Sequence, residues 1–232
     1  MAQSGFHGII GLYGSRALAG SGAASAREKG DLKFGFVLGN IVPDVDLLPL
    51  VLLYLYDSRL AMSMHRTFTH SLLMAAAVYF VFAARRRPGL ALGLAAGMVL
   101  HDLVDVAVWF SGVDLLWPLG LLGLPSTVNL WANLHIPGVV GSLLGAADYL
   151  AYGIYFVVLR RAALRQETCL SFLPRLRLYT GLQWVLTAIF VVLALMLSHS
   201  LFNVLHYALF TLVMLPLAIY ITVKMRPVIE VI

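Results

Sequence analysis

Charged residues are scarce in this 232-residue chain, where aspartate, glutamate, lysine and arginine together make up 12% of the sequence. A typical soluble domain carries about 25%. Hydrophobic residues make up 61%, and a chain this short cannot hide such a surplus in one water-soluble core, because its exterior must stay polar. The composition therefore excludes a soluble globular domain and predicts that membrane lipid surrounds most of the chain.

Cysteine is nearly absent, since Cys169 is the only one in the sequence. A single cysteine excludes an internal disulfide framework and a cysteine-rich zinc site. The net charge of +5 does not indicate a nucleic-acid partner, because the 16 lysine and arginine residues form short clusters between apolar runs instead of one basic face.

Apolar runs divide the chain into spans, each of which needs about 20 mostly apolar residues. The fold class that we predict is all-α, a polytopic membrane helix bundle with about six transmembrane helices. The predicted spans are residues 34–56, 68–84, 89–110, 138–159, 178–197 and 201–223. Residues 34–232 would form one transmembrane domain with its motifs in 34–118, and residues 1–33 a cytoplasmic or re-entrant segment. Glycines and prolines in 112–137 predict a re-entrant or interfacial loop.

Clusters of basic residues predict the orientation, because short loops rich in lysine and arginine stay on the cytoplasmic side. One cluster precedes the first span and one follows the last. Another lies between the second and third spans, and the fourth lies between the fourth and fifth spans. Their members are Arg16, Arg27, Lys29 and Lys33; Arg85, Arg86 and Arg87; Arg160, Arg161, Arg165, Arg175 and Arg177; and Lys224 and Arg226. All four clusters agree on cytoplasmic termini.

Aspartates inside the predicted spans are unexpected, because a charge in hydrocarbon costs about 2.5 to 3.5 kcal/mol on the insertion scale and by default marks function. The first three spans contain Asp44, Asp46, Asp102 and Asp105. Together they would cost about 10 kcal/mol or more. A bound cation would offset this cost, since a structural zinc contributes about 10 to 16 kcal/mol.

The spacing of these aspartates suggests how they could converge. His101 and Asp105 are four residues apart and therefore share one face of the third span. Pro43 should break the first span, and on locally extended chain Asp44 and Asp46 would face the same way.

Two histidines flank the start of the second span, and His65 would reach in from the loop while His70 lies on the span itself. Imidazoles and carboxylates together are the donors that zinc, manganese or ferrous iron binds. The rise of 1.5 Å per residue places all of these groups in the outward half of the membrane. The pattern therefore permits a metal site there.

Simpler roles stay open for the same residues. His101 and Asp105 would also serve as a hydrogen-bonded pair that joins helices, and Arg66 would form an ion pair with Asp44 or Asp46. Further histidines near outer span ends are expected at the interface, where a polar tip reaches water. They are His135, His199 and His206.

Four motifs occur in order in the first half of the chain: PDVD at 43–46, HRTFTHS at 65–71, HDLVD at 101–105 and GVDLLWP at 112–118. Together they resemble the bacterial inner-membrane metal-dependent hydrolases of the YdjM type, whose founding member is LexA-regulated. The later spans are similar only in being apolar. The resemblance implies a multi-pass protein of the bacterial inner membrane.

The resemblance also implies a ligand set for the metal. The implied positions are Asp44, Asp46, His65, His70, His101 and Asp105, with His7 matching a histidine near the family's N-terminus. The chain departs from the family at Leu47, Thr67 and Val108, where histidine, glycine and threonine are common. A weaker likeness to zinc-dependent phospholipase C suggests a lipid phosphoester as substrate.

We therefore expect a membrane-embedded hydrolase that activates water on one or two divalent metals, with zinc ahead of manganese and iron. A carboxylate that is not a ligand would act as general base, and Arg66 or Thr69 would orient a phosphate oxygen. The expected catalytic residues are Asp44, Asp46, His65, Arg66, Thr69 and Asp105. An ion or proton-coupled transporter using the same residues and a non-catalytic scaffold with a closed metal site are the alternatives.

Overall fold

The computed structural model describes residues 4–18, 25–108, 112–134 and 136–232. Within these ranges the chain is all-helical, as predicted, and its β structure is limited to one antiparallel bridge between Val113 and Val128. The helices are α1 (Ser4–Ala17), α2 (Ala26–Gly39), α3 (Leu47–Tyr56), α4 (Ser58–Met64), α5 (Leu72–Ala84), α6 (Pro88–Val108), α7 (Gly138–Arg165), α8 (Leu173–Met196), α9 (His199–Leu209), α10 (Leu215–Lys224) and α11 (Arg226–Ile229). A π-helical turn joins α9 to α10, and short 3₁₀ turns are Val42–Asp46, Phe68–His70, Leu119–Leu122 and Leu170–Phe172.

The described helices provide four to five candidate membrane spans, and six spans are not confirmed. Four are continuous: Pro88–Val108, Gly138–Arg165, Leu170–Met196 and His199–Lys224. The fifth is the pair Ala26–Gly39 and Val42–Tyr56, which bends by 47°. The second predicted span is reduced to α5, whose 13 residues extend only about 20 Å, less than the hydrocarbon thickness of about 30 Å.

The break in the first predicted span occurs at Pro43. The chain there forms a 3₁₀ turn, Val42–Asp46, and not the extended segment that we expected. Proline fits the first turn of a helix because the missing N–H would have no partner there. Residues two apart in a 3₁₀ turn point in different directions, and the two carboxylates meet different atoms of the same histidines. Asp44 faces the Nε2 atoms of His65 and His70, and Asp46 faces their Nδ1 atoms.

Glycines bring α2 and α6 into close contact. A Cβ atom at Gly35 or Gly39 of α2, or at Gly93 or Gly97 of α6, would come within 3 Å of the backbone of the facing helix. Small residues four apart on both helices allow such an approach between membrane helices. This packing places Asn40, the C-cap of α2, beside α6.

Helix α1 lies in the bundle and runs antiparallel to α2. Gly11 packs on Val37 and Asn40, and the Ser4 hydroxyl donates a hydrogen bond to Asp44. The start of α1 therefore lies at the Asp44 end of α2. The C-terminal Glu230 instead contacts Gly30, near the opposite end of α2.

Basic residues gather at that opposite end of the bundle. Asp31 on α2 forms ion pairs with Arg87, which precedes α6, at 3.1 Å and with Arg226 of α11 at 2.5 Å. The Cys169 Sγ atom lies 3.6 Å from the carbonyl oxygen of Lys224. Segments from several of the predicted basic clusters thus meet at one end.

One histidine predicted at the interface is buried instead. His206 is 0% exposed because aromatic rings of α7, α8 and α9 surround it, and its Nδ1 lies 3.2 Å from the Tyr149 hydroxyl. His199 is exposed, as expected, and His135 lies outside the described residues.

Candidate metal centre

Donor side chains converge inside the bundle from four regions that are distant in sequence. The regions are α1, the turn after α2, the connection before α5, and α6. They supply His7; Asp44 and Asp46; His65 and His70; and His101 and Asp105. Two groups of three buried residues have donor atoms within 4.8 Å of one another, namely His7, His101 and Asp105, and Asp44, His65 and His70.

The two groups adjoin through His70 and His101, whose Nε2 atoms are 3.1 Å apart. Asp44 Oδ1 lies 3.6 Å from the Nε2 of His70 and 3.8 Å from the Nε2 of His101. Asp105 Oδ2 lies 3.9 Å from each of the same two nitrogens. Zinc–nitrogen bonds of about 2.0 to 2.1 Å put ligands of a tetrahedral ion about 3.3 Å apart. The observed spacing is thus close to that of donors around one cation.

Hydrogen bonds at Nδ1 fix the tautomers of His101 and His65. The Nδ1 of His101 lies 3.0 Å from the backbone carbonyl of Asn40, which can only accept. The Nδ1 of His65 lies 3.0 and 3.1 Å from the carboxylate oxygens of Asp46. Both Nδ1 atoms must therefore carry the proton, which leaves a lone pair on each Nε2 in the neutral ring.

His70 has the same tautomer for a related reason. The Thr69 hydroxyl donates its single proton to Asp46 Oδ2 at 2.9 Å, so it must accept from the Nδ1 of His70, 3.0 Å away. The His65 Nε2 is buried without a hydrogen-bond partner among the described residues.

These tautomers point lone pairs at each other. Neutral His70 and His101 would place two Nε2 lone pairs 3.1 Å apart, and two acceptors at this distance repel. Either an additional proton or a shared cation must relieve the repulsion. The neighbouring carboxylates of Asp44 and Asp105 would stabilise either positive charge.

His7 lies on the α1 side of the cluster. Its ring stacks on His101 with centroids 3.8 Å apart, and its Nε2 lies 3.1 Å from Asp105 Oδ1. Its Nδ1 is 3.3 Å from the Asn40 side-chain oxygen. The structure thus brings His7 together with the predicted ligands of α6.

Arg66 pairs with Asp105, and its Nε lies 3.1 Å from Asp105 Oδ2. The sequence suggested Asp44 or Asp46 as partners, but the turn after α2 directs those carboxylates toward histidines. Arg66 is 3% exposed and has a φ of 64°, which is uncommon for a residue other than glycine. Backbone strain of this kind persists where the surroundings impose it, often at functional sites.

A pocket of about 210 Å³ lies over this side of the cluster. Its walls come from the connection before α5 and from the segment 112–127. The lining residues are Ser63, His65, Arg66, Thr67, Gly112, Asp114 and Thr127. Of the residues around the cluster, His65 and Arg66 thus line this pocket.

Asp148 and Asp102 are two further buried carboxylates. The sequence reasoning missed Asp148, which lies in α7 and accepts a hydrogen bond from the Gly5 N–H at 3.0 Å. The rule that identified Asp44, a charge within a span, applies equally to it. Asp102 is 0% exposed, belongs to neither donor group, and neither of its carboxylate oxygens has a hydrogen-bond partner among the described residues.

A family model described as YdjM inner membrane protein matches residues 1–205 of the chain. The match extends beyond the four motifs of the first half and includes α7 and α8. No curated protein and no solved structure matches the chain.

Proposed function

The chain belongs to the YdjM inner membrane protein family, and from this membership and the buried donor cluster we propose a multi-pass membrane hydrolase that depends on a divalent metal ion. Zinc is the first candidate, and manganese or ferrous iron are the others. One observation carries the proposal: the Nε2 atoms of His70 and His101 meet at 3.1 Å beside the Asp44 carboxylate.

The charges of the cluster fit a divalent ion. Asp44, Asp46 and Asp105 contribute three negative charges, and Arg66 contributes one positive charge. The remaining deficit of two positive charges equals the charge of one divalent cation. Without compensation, buried carboxylates of this kind are strongly destabilising, so a bound ion would stabilise the fold as well as the site.

The donor set assigns a role to each side chain. The ion would be held by the Nε2 atoms of His65, His70 and His101 and by carboxylate oxygens of Asp44 and Asp105, with His7 completing the α1 side. Asp46, at hydrogen-bond distance from His65 Nδ1 and Thr69, would orient ligands and would not bind the ion itself. Carboxylates that fix histidine ligands in this way are a regular feature of metal sites.

Water activation is the chemistry that such an ion supplies, because a bound divalent metal lowers the pKa of its water to about 7 and polarises the bond under attack. Asp105, a ligand of the ion, would be held in place by its contacts with His7 and Arg66. Arg66 lines the pocket, where a planar guanidinium suits bidentate contact with phosphate oxygens.

A lipid phosphoester is the substrate class that fits the surroundings of the pocket. Helices α3 and α4, which lead to Ser63 and His65, expose large apolar side chains. These are Leu52, Leu55, Tyr56, Leu60 and Met64. A polar pocket beside a continuous apolar surface suits an amphiphile whose headgroup enters the pocket and whose chains stay in lipid.

For the orientation, we propose that the basic end of the bundle faces the cytoplasm. The start of α2 and the C-terminal helix α11 would then lie on the cytoplasmic side. Gly30 and Asn40 are ten residues apart in sequence, about 15 Å along the helix axis. The metal centre would thus lie toward the outward half of the membrane.

Purified full-length protein tests the proposal in two measurements. We expect near-stoichiometric transition metal by elemental analysis in the parent protein and marked loss in His101→Ala and Asp105→Ala. The exposed His199 provides a control, and His199→Ala should retain the metal. Labelled phospholipids with each candidate metal should show metal-dependent turnover, and its absence on every lipid phosphoester would remove this substrate class.

A transporter is the second candidate, and the 47° bend between α2 and the following Val42–Tyr56 segment favours it. Broken helices with carboxylates near the break are common at ion sites of transporters. Proteoliposomes distinguish the two functions, because metal or proton flux without hydrolysis would support transport.

A further inference from the structure

Helix α1 is fastened to α7 by a carboxylate outside the four motifs. The Gly5 N–H donates to Asp148 Oδ1 at 3.0 Å, and Asp148 is 1% exposed. The first N–H groups of a helix have no partner within the helix, and a carboxyl oxygen beside them can accept one of their hydrogen bonds. Asp148, on another helix, thus accepts a hydrogen bond that an N-terminal capping residue would accept within the same segment.

The contact leaves no room between the two helices. A Cβ atom at Gly5 would lie 2.6 Å from the backbone nitrogen of Tyr152 and 2.8 Å from the carbonyl oxygen of Asp148. One at Gly8 would lie 3.2 Å from the ring of Tyr155. The position of the first turn of α1 is therefore determined by α7.

His7 depends on the same turn. It lies two residues after Gly5, about 3 Å along the helix axis, and contacts Asp105, Asn40 and His101. A displacement of the first turn from α7 would move His7 relative to α6. The Ser4 contact with Asp44 would change with it.

We propose that Asp148 is a positioning residue of the metal centre: by accepting the Gly5 N–H, it docks α1 on α7 and thereby holds His7 against Asp105 and His101. This inference rests on the proposed metal centre. The inference gives a role to Asp148, a buried carboxylate that does not itself contact His101 or Asp105.

Cobalt substitution of the full-length protein tests this role. The visible absorption of bound Co²⁺ reports ligand number and geometry, and it does not depend on turnover. We expect His7→Ala to change the spectrum and to weaken Co²⁺ binding, and Asp148→Leu to reproduce both changes, with affinity lower by about 10- to 100-fold as for other supporting residues. The double variant should show no additional change. The variant Asp148→Asn keeps an oxygen that accepts the Gly5 N–H, and it should therefore have the same spectrum as the parent protein.

Two further variants separate positioning from general destabilisation. Gly5→Ala should displace α1 with Asp148 intact and give the His7→Ala spectrum even if Asp148→Leu does not fold. Tyr155→Phe, also in α7, removes a buried hydrogen bond to Thr222 of α10 and should leave the spectrum unchanged.

Several outcomes would overturn the inference. These are a parent-like spectrum in Asp148→Leu or Gly5→Ala, additive losses in the double variant, and no effect of His7→Ala. Absence of Co²⁺ binding by the parent protein would overturn the metal centre together with this inference. Co²⁺ binding with the expected variants but no hydrolysis would overturn the hydrolase proposal alone.

Discussion

Asp46 contacts two side chains next to the proposed metal ligands. It lies at hydrogen-bond distance from His65 and Thr69, and through Thr69 it determines which nitrogen of His70 faces the cluster. Asp44, two residues earlier, is the carboxylate that faces the Nε2 atoms directly.

We therefore predict different results for the same substitution at Asp44 and Asp46. Asp44→Asn removes a charged donor and should abolish stoichiometric metal binding. Asp46→Asn leaves an acceptor for the His65 Nδ1–H and should lower metal affinity by about 10- to 100-fold. Titration against a competing chelator measures both. Equal losses in the two variants would show that Asp46 is itself a ligand.

For single residues, candidate members of the site are easier to identify from the sequence than the contacts that they make. Asp44, Asp105 and His101 can be identified because a charged or polar group in an apolar span is costly wherever it points. The partner of His101 Nδ1 cannot be predicted, because it is a backbone carbonyl of α2, 61 residues away. His7 followed only from the family resemblance, since spacing alone does not show that α1 packs beside α6.

Among the helices, the contact between α2 and α6 is the one on which the centre most depends. Both carry glycines four residues apart, which a sequence reader could have recognised as a helix-packing motif. These glycines let Asn40 approach His101 closely enough for a hydrogen bond of 3.0 Å.

Gly97→Ala should therefore separate α2 from α6 and weaken the metal centre. Its Cβ would overlap the Phe36 carbonyl oxygen and crowd the Asn40 nitrogen, and we expect a loss of about 1 to 3 kcal/mol of stability together with reduced metal content. Thermal unfolding and elemental analysis measure the two effects. The control is Gly181→Ala in α8, whose Cβ would meet no atom within 4 Å and should be neutral or slightly stabilising. A stable, fully metallated Gly97→Ala protein would contradict this account.

The predicted start of the second span was four residues too early. Residues 72–84 are apolar, but Thr69, His70 and Ser71 precede them, and a 3₁₀ turn at Phe68–His70 with the cap Ser71 delays the start of α5 to residue 72. Hydropathy counts do not detect such a turn. At Pro43 the break itself was predictable from the missing backbone donor, whereas the form of the turn was not.

For the molecule as a whole, the proposed metal centre would join α1, the turn after α2, the connection before α5 and α6. A ligand that binds only the folded state stabilises it by RT ln(1 + [L]/Kd), where [L] is the free ligand concentration. We predict that a strong chelator lowers the midpoint of thermal unfolding in the parent protein, and that added Zn²⁺ restores it. At a free metal concentration 100 times the dissociation constant the stabilisation is about 2.7 kcal/mol.

The chelator should have no such effect on a protein that lacks the centre. His101→Ala therefore serves as the control, and its unfolding midpoint should be the same with and without chelator. A chelator effect of equal size in both proteins would mean that the metal stabilises the bundle from elsewhere.

The docking of α1 on Asp148 also has a consequence for biosynthesis. The ribosome makes His7 141 residues before Asp148, which at about 5 to 20 residues per second corresponds to about 7 to 28 s. During that interval the residue that anchors α1 does not yet exist. Maturation of the proposed centre would therefore be complete only after α7 has been inserted, so nascent chains arrested before residue 148 should bind metal less tightly than the finished protein.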